Sequence, residues 1–369
     1  MTNKYDVAVI GGGVIGSSVA YHLAKENMKV ALFEAQQIGC KASGAAAGML
    51  GAHSECDDMK IFYPFARSSQ KAYAQLQEEI QTLTGIDFEI KTGGIFKVAY
   101  SASEKEELRS ALALPTVEWF EANEVENSVP GVNQNIIGAA YIKEDVNVLP
   151  TSVSRGLSKG AKILGASIYE YTTVLDIQKN GESYLIKTTR GSFEANYVVV
   201  ANGVWSSELF YRFGLNHQLF PIKGEILSVS SESVSLKHTI FHNGSYVMPR
   251  KNGELIIGAT MIANDWNEKP TLGGMEKLID KAKSMLPAVT DMTINSFWAG
   301  LRPQTFDQKP FIGKHPEQDR ILFATGHSRN GILLAPATGE MIRDLILEKP
   351  VNKDWQEAFK IDRKNPVLV

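Results

Sequence analysis

The arginine at position 302 is the side chain whose setting most strongly indicates chemistry. It stands in "FWAGLRPQTFDQKPFIG", residues 297–313, where an apolar run ends directly before it and Pro303 follows. Such a run is typical of buried chain, and arginine is almost never fully buried without a partner. An internal partner would be Asp307 or Glu225. Otherwise Arg302 binds an anion that comes from outside the protein.

A glycine series near the N-terminus forms a second chemical motif. The segment "YDVAVIGGGVIGSSVAYHLAKENMKVALFEA" predicts a strand, a turn, a helix and another strand, with Gly11, Gly13 and Gly16 in the G-x-G-x-x-G spacing and Glu34 closing the unit. In such a βαβ unit the glycines permit a tight turn, a close approach to a pyrophosphate and close helix packing. Glu34 would accept hydrogen bonds from an adenosine ribose and repel the 2′-phosphate of NADP. We therefore predict a dinucleotide cofactor.

Small side chains after this unit favour FAD over NAD. Residues 39–52 read "GCKASGAAAGMLGA". Side chains this small have little surface for packing, so a large planar ring could lie close to the backbone. A flexible loop would have the same composition and is the alternative. The position of the glycine unit at the very N-terminus also suits an FAD-containing oxidoreductase.

The composition excludes several classes of protein. The chain has 369 residues, 44% of them hydrophobic and 21% charged, which indicates a globular protein of about two domains. The net charge is −3 and no basic block occurs, so a nucleic-acid surface is not expected. No apolar segment approaches the roughly 20 residues that span a bilayer, and no signal peptide precedes the first strand. We expect a cytoplasmic protein without a membrane partner.

The cysteines and histidines do not indicate a metal site. Cys40 and Cys56 fit no metal-binding or redox spacing, so we expect reduced, non-catalytic thiols. His238 and His242 stand four residues apart in a predicted strand, where that spacing does not bring two ligands together as it would on a helix. His327 lies in a glycine-bearing turn, and we expect a structural or cofactor-contacting role for it.

The order of predicted elements indicates an α/β fold with two interleaved domains. Strand, glycine turn and helix recur at the N-terminus, in the middle and at the C-terminus, with antiparallel-looking strands between them. We predict a Rossmann-type FAD-binding domain formed by residues 1–85, 145–220 and 301–369. A substrate-binding domain with an antiparallel sheet and helices would comprise residues 86–144 and 221–300.

Three local predictions can be compared directly with the structure. Residues 57–84 have the polar and apolar spacing of a helix. "VEWFEANEVENSVPG" predicts a helix followed by a turn. "SIYEYTTVLDIQKN" and "SYLIKTTRG" predict a hairpin, with Asn180 and Gly181 near its turn.

Several motifs together resemble the D-amino-acid oxidase family of flavoproteins along the whole chain. They are "VIGGGVIGSSVAYHLAKE", "AAAGMLGAHSE", "VVVANGVWS", "FWAGLRP", "KPFIG" and "GHSRNGILLAPATG", of which the last three in combination are specific. The resemblance implies non-covalent FAD in a glutathione-reductase-like fold, and a homotetramer. It also implies oxidative deamination of glycine, sarcosine or D-alanine by hydride transfer to flavin, which yields the oxo acid, ammonia or an amine, and hydrogen peroxide. The members most similar to this chain act in bacterial thiamine biosynthesis.

The resemblance also implies residue roles for the cofactor. It assigns flavin contacts to the glycine turn, the small-residue stretch, one residue on the adenine side and the turn near the C-terminus. These residues are Gly11, Gly13, Val14, Ile15, Gly16, Glu34, Ala35, Ala42, Ser43, Ala47, Gly48, Met49, Val174, His327, Ser328, Arg329, Asn330, Gly331, Ile332 and Leu333.

For the substrate, the resemblance implies that Arg302 and Tyr246 bind the carboxylate and that Met261 and Arg329 line the pocket. A guanidinium binds a carboxylate through two parallel hydrogen bonds, a geometry that lysine cannot copy. We assign no general base, because the cofactor accepts the hydride and the protein orients the substrate. Gly244 departs from the family, where a larger residue is expected, and this affects the pocket entrance.

Other activities are compatible with the same sequence. A D-amino-acid dehydrogenase or a sarcosine-oxidase-like enzyme would share the fold and the cofactor. An enzyme that modifies transfer RNA would need a basic surface and a partner domain, which the chain lacks. A flavin-binding regulatory module would not need Arg302 beside the ring.

Overall fold

The computed structural model describes residues 3–55, 58–216 and 219–363, so Cys56 lies outside the described residues. Its strands fall into a mixed sheet around β1, a largely antiparallel sheet around β12 and a short two-stranded sheet of β3 and β7. In chain order the strands are β1 (Asn3–Ile10), β2 (Val30–Phe33), β3 (Met49–Leu50), β4 (Ile95–Ala99), β5 (Val117–Glu121), β6 (Gly138–Ile142), β7 (Val146–Asn147), β8 (Ser167–Tyr169), β9 (Val174–Asn180), β10 (Ser183–Thr188), β11 (Gly191–Val200), β12 (Phe220–Ser230), β13 (Thr239–His242), β14 (Ser245–Pro249), β15 (Leu255–Gly258), β16 (Ile262–Ala263), β17 (Thr293–Gln304), β18 (Phe311–Lys314) and β19 (Ile321–Thr325).

The helices cover the faces of these sheets and connect their strands. In chain order they are α1 (Val14–Lys25), α2 (Ala42–Ala45), α3 (Phe62–Thr84), α4 (Ala102–Glu107), α5 (Arg109–Leu112), α6 (Ala122–Ser128), α7 (Pro150–Ile163), α8 (Ser206–Arg212), α9 (Leu272–Met285), α10 (Gly331–Ile346) and α11 (Lys353–Phe359). Within the described residues, none of the helices is both long and apolar enough to cross a membrane.

The first sheet has the order β18-β19-β11-β1-β2-β8, in which β1 lies between β11 and β2 and is parallel to both. Both faces of β1 are buried. Val7 and Val9 pack into the core with helices α1, α3, α7 and α10, while Ala8 and Ile10 face a second core on the other side. Burial on both faces explains the continuous apolar run in this strand. The carboxyl ends of β1, β11 and β19 therefore meet at one edge of the sheet.

The second sheet has the order β16-β12-β15-β14-β13-β4-β6-β5, with β17 along the other side of β12. Strands β12 and β17 pair antiparallel over most of their length, from Phe220 opposite Gln304 to Ser230 opposite Thr293. Helix α9 packs on this sheet through Leu278, Ala282 and Met285. The long β12–β17 pair brings Arg302 towards the first sheet.

The predicted α/β fold is confirmed, whereas the local predictions had different outcomes. The hairpin of β9 and β10 is confirmed, but residues 167–169 form β8, which pairs parallel with β2. Helix α3 begins at Phe62, after a turn in which Asp58 accepts hydrogen bonds from two backbone N–H groups. The domain boundaries stay a prediction.

The helix predicted for "VEWFE" is wrong. Residues 117–121 form the edge strand β5, and the helix begins at Ala122. Strand β5 pairs with β6, with Trp119 opposite Ala140. This pairing gives the β-branched and aromatic residues a sheet to pack on, so tertiary contacts override a helix-like pattern.

We predict that Gly16→Ala destabilises the protein. A Cβ at position 16 would overlap the carbonyl oxygen of Gly11, so α1 would have to move away from β1. Overpacking of this kind costs about 1–3 kcal/mol, and we expect the melting temperature to fall by several degrees. The control is Gly273→Ala, where a Cβ meets nothing within 4 Å and an alanine favours helix α9. Equal melting temperatures for the two variants would contradict the close packing at Gly16.

Candidate active site

A cavity of about 580 Å³ extends from the glycine turn after β1 to the β12–β17 pair. Its walls come from the carboxyl ends of β1, β11 and β19, from the small-residue stretch around α2, and from β12, β14 and β17. Ligands of open parallel sheets bind at the carboxyl ends of the strands. The size of the cavity and its position at this edge of the sheet suit a large ligand.

The glycine turn is built to bring backbone close to that ligand. Gly11 has φ +105°, and a Cβ there would lie 2.6 Å from the carbonyl oxygen of Ala201, so the first glycine of the motif is required. Gly13 caps helix α1 without a side chain in the way, and the Val14 N–H donates to Ser43 Oγ at 2.9 Å. The N-terminus of α1 therefore faces the cavity, which suits the phosphates of a dinucleotide.

Glu34 is held in place by backbone groups. Its two carboxylate oxygens accept hydrogen bonds from the Gly12 N–H at 2.7 Å and the Gln36 N–H at 2.8 Å. The carboxylate lines the cavity beside the glycine turn and keeps lone pairs for further donors. This placement fits the predicted contact with a ribose.

The small-residue stretch packs tightly against neighbouring strands. Gly48 has φ +86°, and Arg250 donates to the carbonyl oxygens of Ala47 at 2.6 Å and Val148 at 2.5 Å. A Cβ at Gly300 of β17 would overlap the side chain of Ala45. These contacts fix the course of the stretch along the cavity wall, where larger side chains would fill the space for a ring.

Arg302 faces the far end of the cavity. Its guanidinium lies over Gly224 of β12, where any Cβ would overlap it, and its Nη1 donates to the Thr260 carbonyl at 3.1 Å. Both internal candidates are engaged elsewhere: Asp307 pairs with Arg363 at 2.8 Å, and Glu225 lies 3.5 Å from Lys223. Across the described residues, no ion pair involves Arg302, so the alternative of an internal partner is wrong there.

Tyr246 lies beside this guanidinium. It is buried on β14, and its hydroxyl lies over Gly258 of β15, where a Cβ would overlap it. Burial raises the pKa of the phenol, and the charge of Arg302 only partly opposes this. Tyr246 therefore stays protonated and can donate a hydrogen bond. For Arg302, burial lowers the pKa of the guanidinium, and the nearby Tyr246 and Glu55 oppose the shift.

Nearly all the site residues inferred from sequence meet at this cavity. Gly16 and Leu333 are the exceptions: Gly16 packs under Gly11, and Leu333 is buried in the core beside α1. Met261 is 55% exposed and lies with Gly244 at the mouth. Because Gly244 has φ +75° and no atom within 4 Å of a Cβ position, the mouth is open on this side.

Several lining residues were missed in the sequence. They are Glu55, Thr172, Asn202, Trp205, Gly224 and Gly300. Asn202 follows β11, a parallel strand, and that position at its carboxyl end was a usable signal. Glu55 ends the motif "AAAGMLGAHSE", which was a usable signal, although a single glutamate in a loop has no periodicity or spacing to distinguish it.

His238 and His242 contact different partners. His238 contacts the Gly93 carbonyl through Nδ1, whereas His242 lies 3.2 Å from Glu104. Over the described ranges, no cluster of three or more His, Cys, Asp or Glu residues is placed to hold a metal ion. His327 is buried in the turn before α10, and its Nε2 lies 3.0 Å from Thr338 Oγ1.

Comparison with known proteins agrees with this geometry. The sequence profile of the family described as "DAO: FAD dependent oxidoreductase" matches residues 6–345. The chain is 52% identical over 367 residues to the glycine oxidase of Bacillus licheniformis and 50% identical over 369 residues to that of Bacillus subtilis strain 168, with 100% of each chain covered. It is also similar to the crystal structure of glycine oxidase from Geobacillus kaustophilus, with a TM-score of 0.95 and 36% identity over 98% of this chain and 100% of that one.

We predict that His327 makes stability sensitive to acid. Burial lowers the pKa of its imidazole from 6.5 to about 3, so between these values the unfolded chain binds the proton and the folded chain does not. The stability that the neutral imidazole contributes is complete above pH 6.5 and is lost as the pH falls towards 3, at up to about 1.4 kcal/mol per pH unit. Urea unfolding between pH 6.5 and about 5 should show a shallower loss for His327→Gln than for the wild type.

A matched variant separates this effect from the loss of a cavity contact. Burial also lowers the pKa of His22 to about 3, and His22 lies in the core between α1 and α10, away from the cavity. His22→Gln should reduce the dependence of the unfolding free energy on pH by a similar amount. The same pH dependence in the wild type and both variants would contradict the proton linkage.

Proposed function

This chain belongs to the DAO family of FAD-dependent oxidoreductases, and we propose that it oxidises glycine and similarly small amines. It is an enzyme, and its cofactor is FAD. The glycine turn, the α1 N-terminus and Glu34 fit the dinucleotide, and the small-residue stretch fits a planar ring. The chemistry that bound FAD supplies is the removal of two electrons from the substrate's carbon–nitrogen unit.

The setting of Arg302 carries the proposal. A guanidinium inside the protein that faces a cavity, with no carboxylate partner among the described residues, is placed to receive an external carboxylate. Tyr246 is buried beside it as a protonated donor. The two side chains together match the carboxylate of an amino acid, since arginine binds both oxygens in one plane and the phenol adds a further hydrogen bond.

The protein's own residues then orient the substrate and keep it away from water. Arg302 and Tyr246 fix the carboxylate, while the cavity walls hold the small remainder of the molecule near the small-residue stretch. A defined position converts binding energy into a favourable orientation for the reaction. We assign no general base. With molecular oxygen as the electron acceptor and water as the second co-substrate, the products would be the oxo acid, which is glyoxylate from glycine, together with ammonia or an amine and hydrogen peroxide.

The resemblance noted in the sequence supports several further proposals. We infer that substrates include sarcosine and D-alanine, because a pocket discriminates a methyl group by only about 1–3 kcal/mol. We also infer a homotetramer in the cytoplasm that acts in thiamine biosynthesis. The roles assigned to Arg302, Tyr246, Met261 and Arg329 in substrate binding are part of this proposal.

An absorption spectrum of the purified holoprotein tests the function. Under anaerobic conditions, glycine should bleach the flavin band, and air should restore it with release of hydrogen peroxide. A band that glycine leaves unchanged would contradict the assignment of glycine. Bleaching without peroxide on admission of air would indicate a dehydrogenase instead.

Arg302→Lys should weaken substrate capture while FAD stays bound. Lysine keeps the charge but loses the planar pair of hydrogen bonds, and hydrogen bonds to charged groups contribute about 1.5–3 kcal/mol. We expect the KM for glycine to rise by about tenfold to a hundredfold. The control is Arg109→Lys, an exposed arginine paired with Glu106, which should leave the KM unchanged. Wild-type kinetics in Arg302→Lys would exclude the carboxylate-binding role.

A further inference from the structure

Glu55 is a buried carboxylate that the substrate-binding scheme above does not use. It lines the cavity, and its side chain is only 10% exposed. Its Oε2 lies 3.2 Å from Nε of Arg329 but accepts no hydrogen bond from any described residue. A buried charged oxygen without a donor is costly, and such groups in native proteins are usually satisfied by a ligand or water.

The loop that carries Glu55 is held firmly by Asp145. This carboxylate is fully buried and accepts hydrogen bonds from the backbone N–H groups of His53 at 3.2 Å and Ser54 at 2.8 Å. It also lies 2.8 Å from His53 Nδ1 and accepts from Gln70 at 2.9 Å. These contacts hold the two residues before Glu55 in place, and the Glu55 side chain lines the cavity.

Glu55 and Arg302 are oppositely charged and lie near each other without pairing. The Glu55 charge is felt at Arg302 and at Tyr246, where it adds to the effect of burial in raising the pKa of the phenol. Among the ion pairs of the described chain, however, none joins Glu55 to Arg302. Both side chains line the same cavity, which thus offers an anion and a cation to one ligand, the complement of a small zwitterion.

We propose that Glu55 binds the ammonium group of the amino-acid substrate while Arg302 binds its carboxylate. The inference rests on the proposed function, because it deepens the description of the same substrate site. It assigns Glu55 as a specificity-determining residue that selects amines over hydroxy acids of the same size. An N–H⁺ donor forms a charge-assisted hydrogen bond with a carboxylate, whereas a hydroxyl forms a weaker one.

A purely structural role, in which Glu55 only positions Arg329, is the competing explanation. The side chain of Arg329 is 32% exposed, and its Nε meets only one oxygen of Glu55, without hydrogen-bond geometry. This contact leaves most of the acceptor capacity of the carboxylate free, since an ionised carboxylate has about four acceptor sites. The two roles differ in what they predict for a ligand that lacks an ammonium group.

The test compares two ligands of the holoenzyme. Glycine has both charged groups, and glycolate replaces the ammonium with a hydroxyl. The dissociation constant of glycine is obtained from the concentration dependence of anaerobic flavin reduction, and that of glycolate from the perturbation of flavin absorption. In Glu55→Gln we expect glycine to bind about tenfold or more weakly. Glycolate should bind as in the wild type or more tightly, because the repulsion between two carboxylates is removed.

Two further variants serve as controls. Glu144→Gln removes a charge that contacts His53 and Arg67 but does not line the cavity, and it should leave both dissociation constants unchanged. Glu55→Asp keeps the charge on a shorter side chain and should lower the preference for glycine less than Glu55→Gln. If Glu55→Gln fails to retain FAD, Glu55→Asp is compared with the wild type: weaker binding of glycine with unchanged binding of glycolate supports the proposal, and equal changes for both ligands overturn it.

Each outcome has a definite meaning. Equal weakening of glycine and glycolate in Glu55→Gln would overturn the proposal in favour of the structural role through Arg329. Unchanged binding of glycine in that variant would overturn it as well. If the wild-type protein binds glycolate but neither binds nor oxidises glycine, the proposed function itself fails and the inference falls with it.

Discussion

The site depends on one electrostatic constraint, which is a guanidinium held inside the protein without a protein carboxylate. A charge removed from water is costly unless it is paired, and burial accordingly lowers the pKa of Arg302. The fold supplies only partial compensation, through the Thr260 carbonyl at 3.1 Å and the neighbouring Tyr246 and Glu55. A carboxylate ligand, which we propose to be that of the substrate, would complete the compensation.

The alternation of strand residues keeps Glu225 away from Arg302. In the β12–β17 pair, Ile222 is opposite Arg302, so Ile222 and Gly224 share its face of the sheet. Lys223 and Glu225 alternate with them and point to the other face, where Glu225 accepts from both the N–H and the hydroxyl of Thr271. A shift of one residue in this pairing would bring Glu225 to the face of Arg302. The register of two strands thus decides whether Arg302 is available to substrate.

The sequence predicted the cofactor end of the site from local features. Gly11, Gly13 and Glu34 belong to one short βαβ unit, and such local features have fixed spacings. Ion pairing could not be predicted from the sequence in this way. Asp307 and Glu225 were both considered as partners of Arg302, but Asp307 pairs with Arg363 and Glu225 lies beside Lys223. The strand at residues 117–121 was mistaken for a helix because its sheet partner, β6, supplies the packing that decides its conformation.

The substrate end could not be read in the same way, because it consists of single side chains from distant segments. Glu55, Tyr246, Arg302 and Arg329 meet only through the topology of the two sheets, and Glu55 stands in a loop without any periodic pattern. The two ends of the cavity therefore have different tolerance to change. Substitutions at the mouth, around Gly244, can alter the range of amines without disturbing the glycine turn, since they share no contacts with it. The glycine turn approaches the cavity through its backbone, whereas the opposite end presents single side chains, so a substitution there changes one contact at a time.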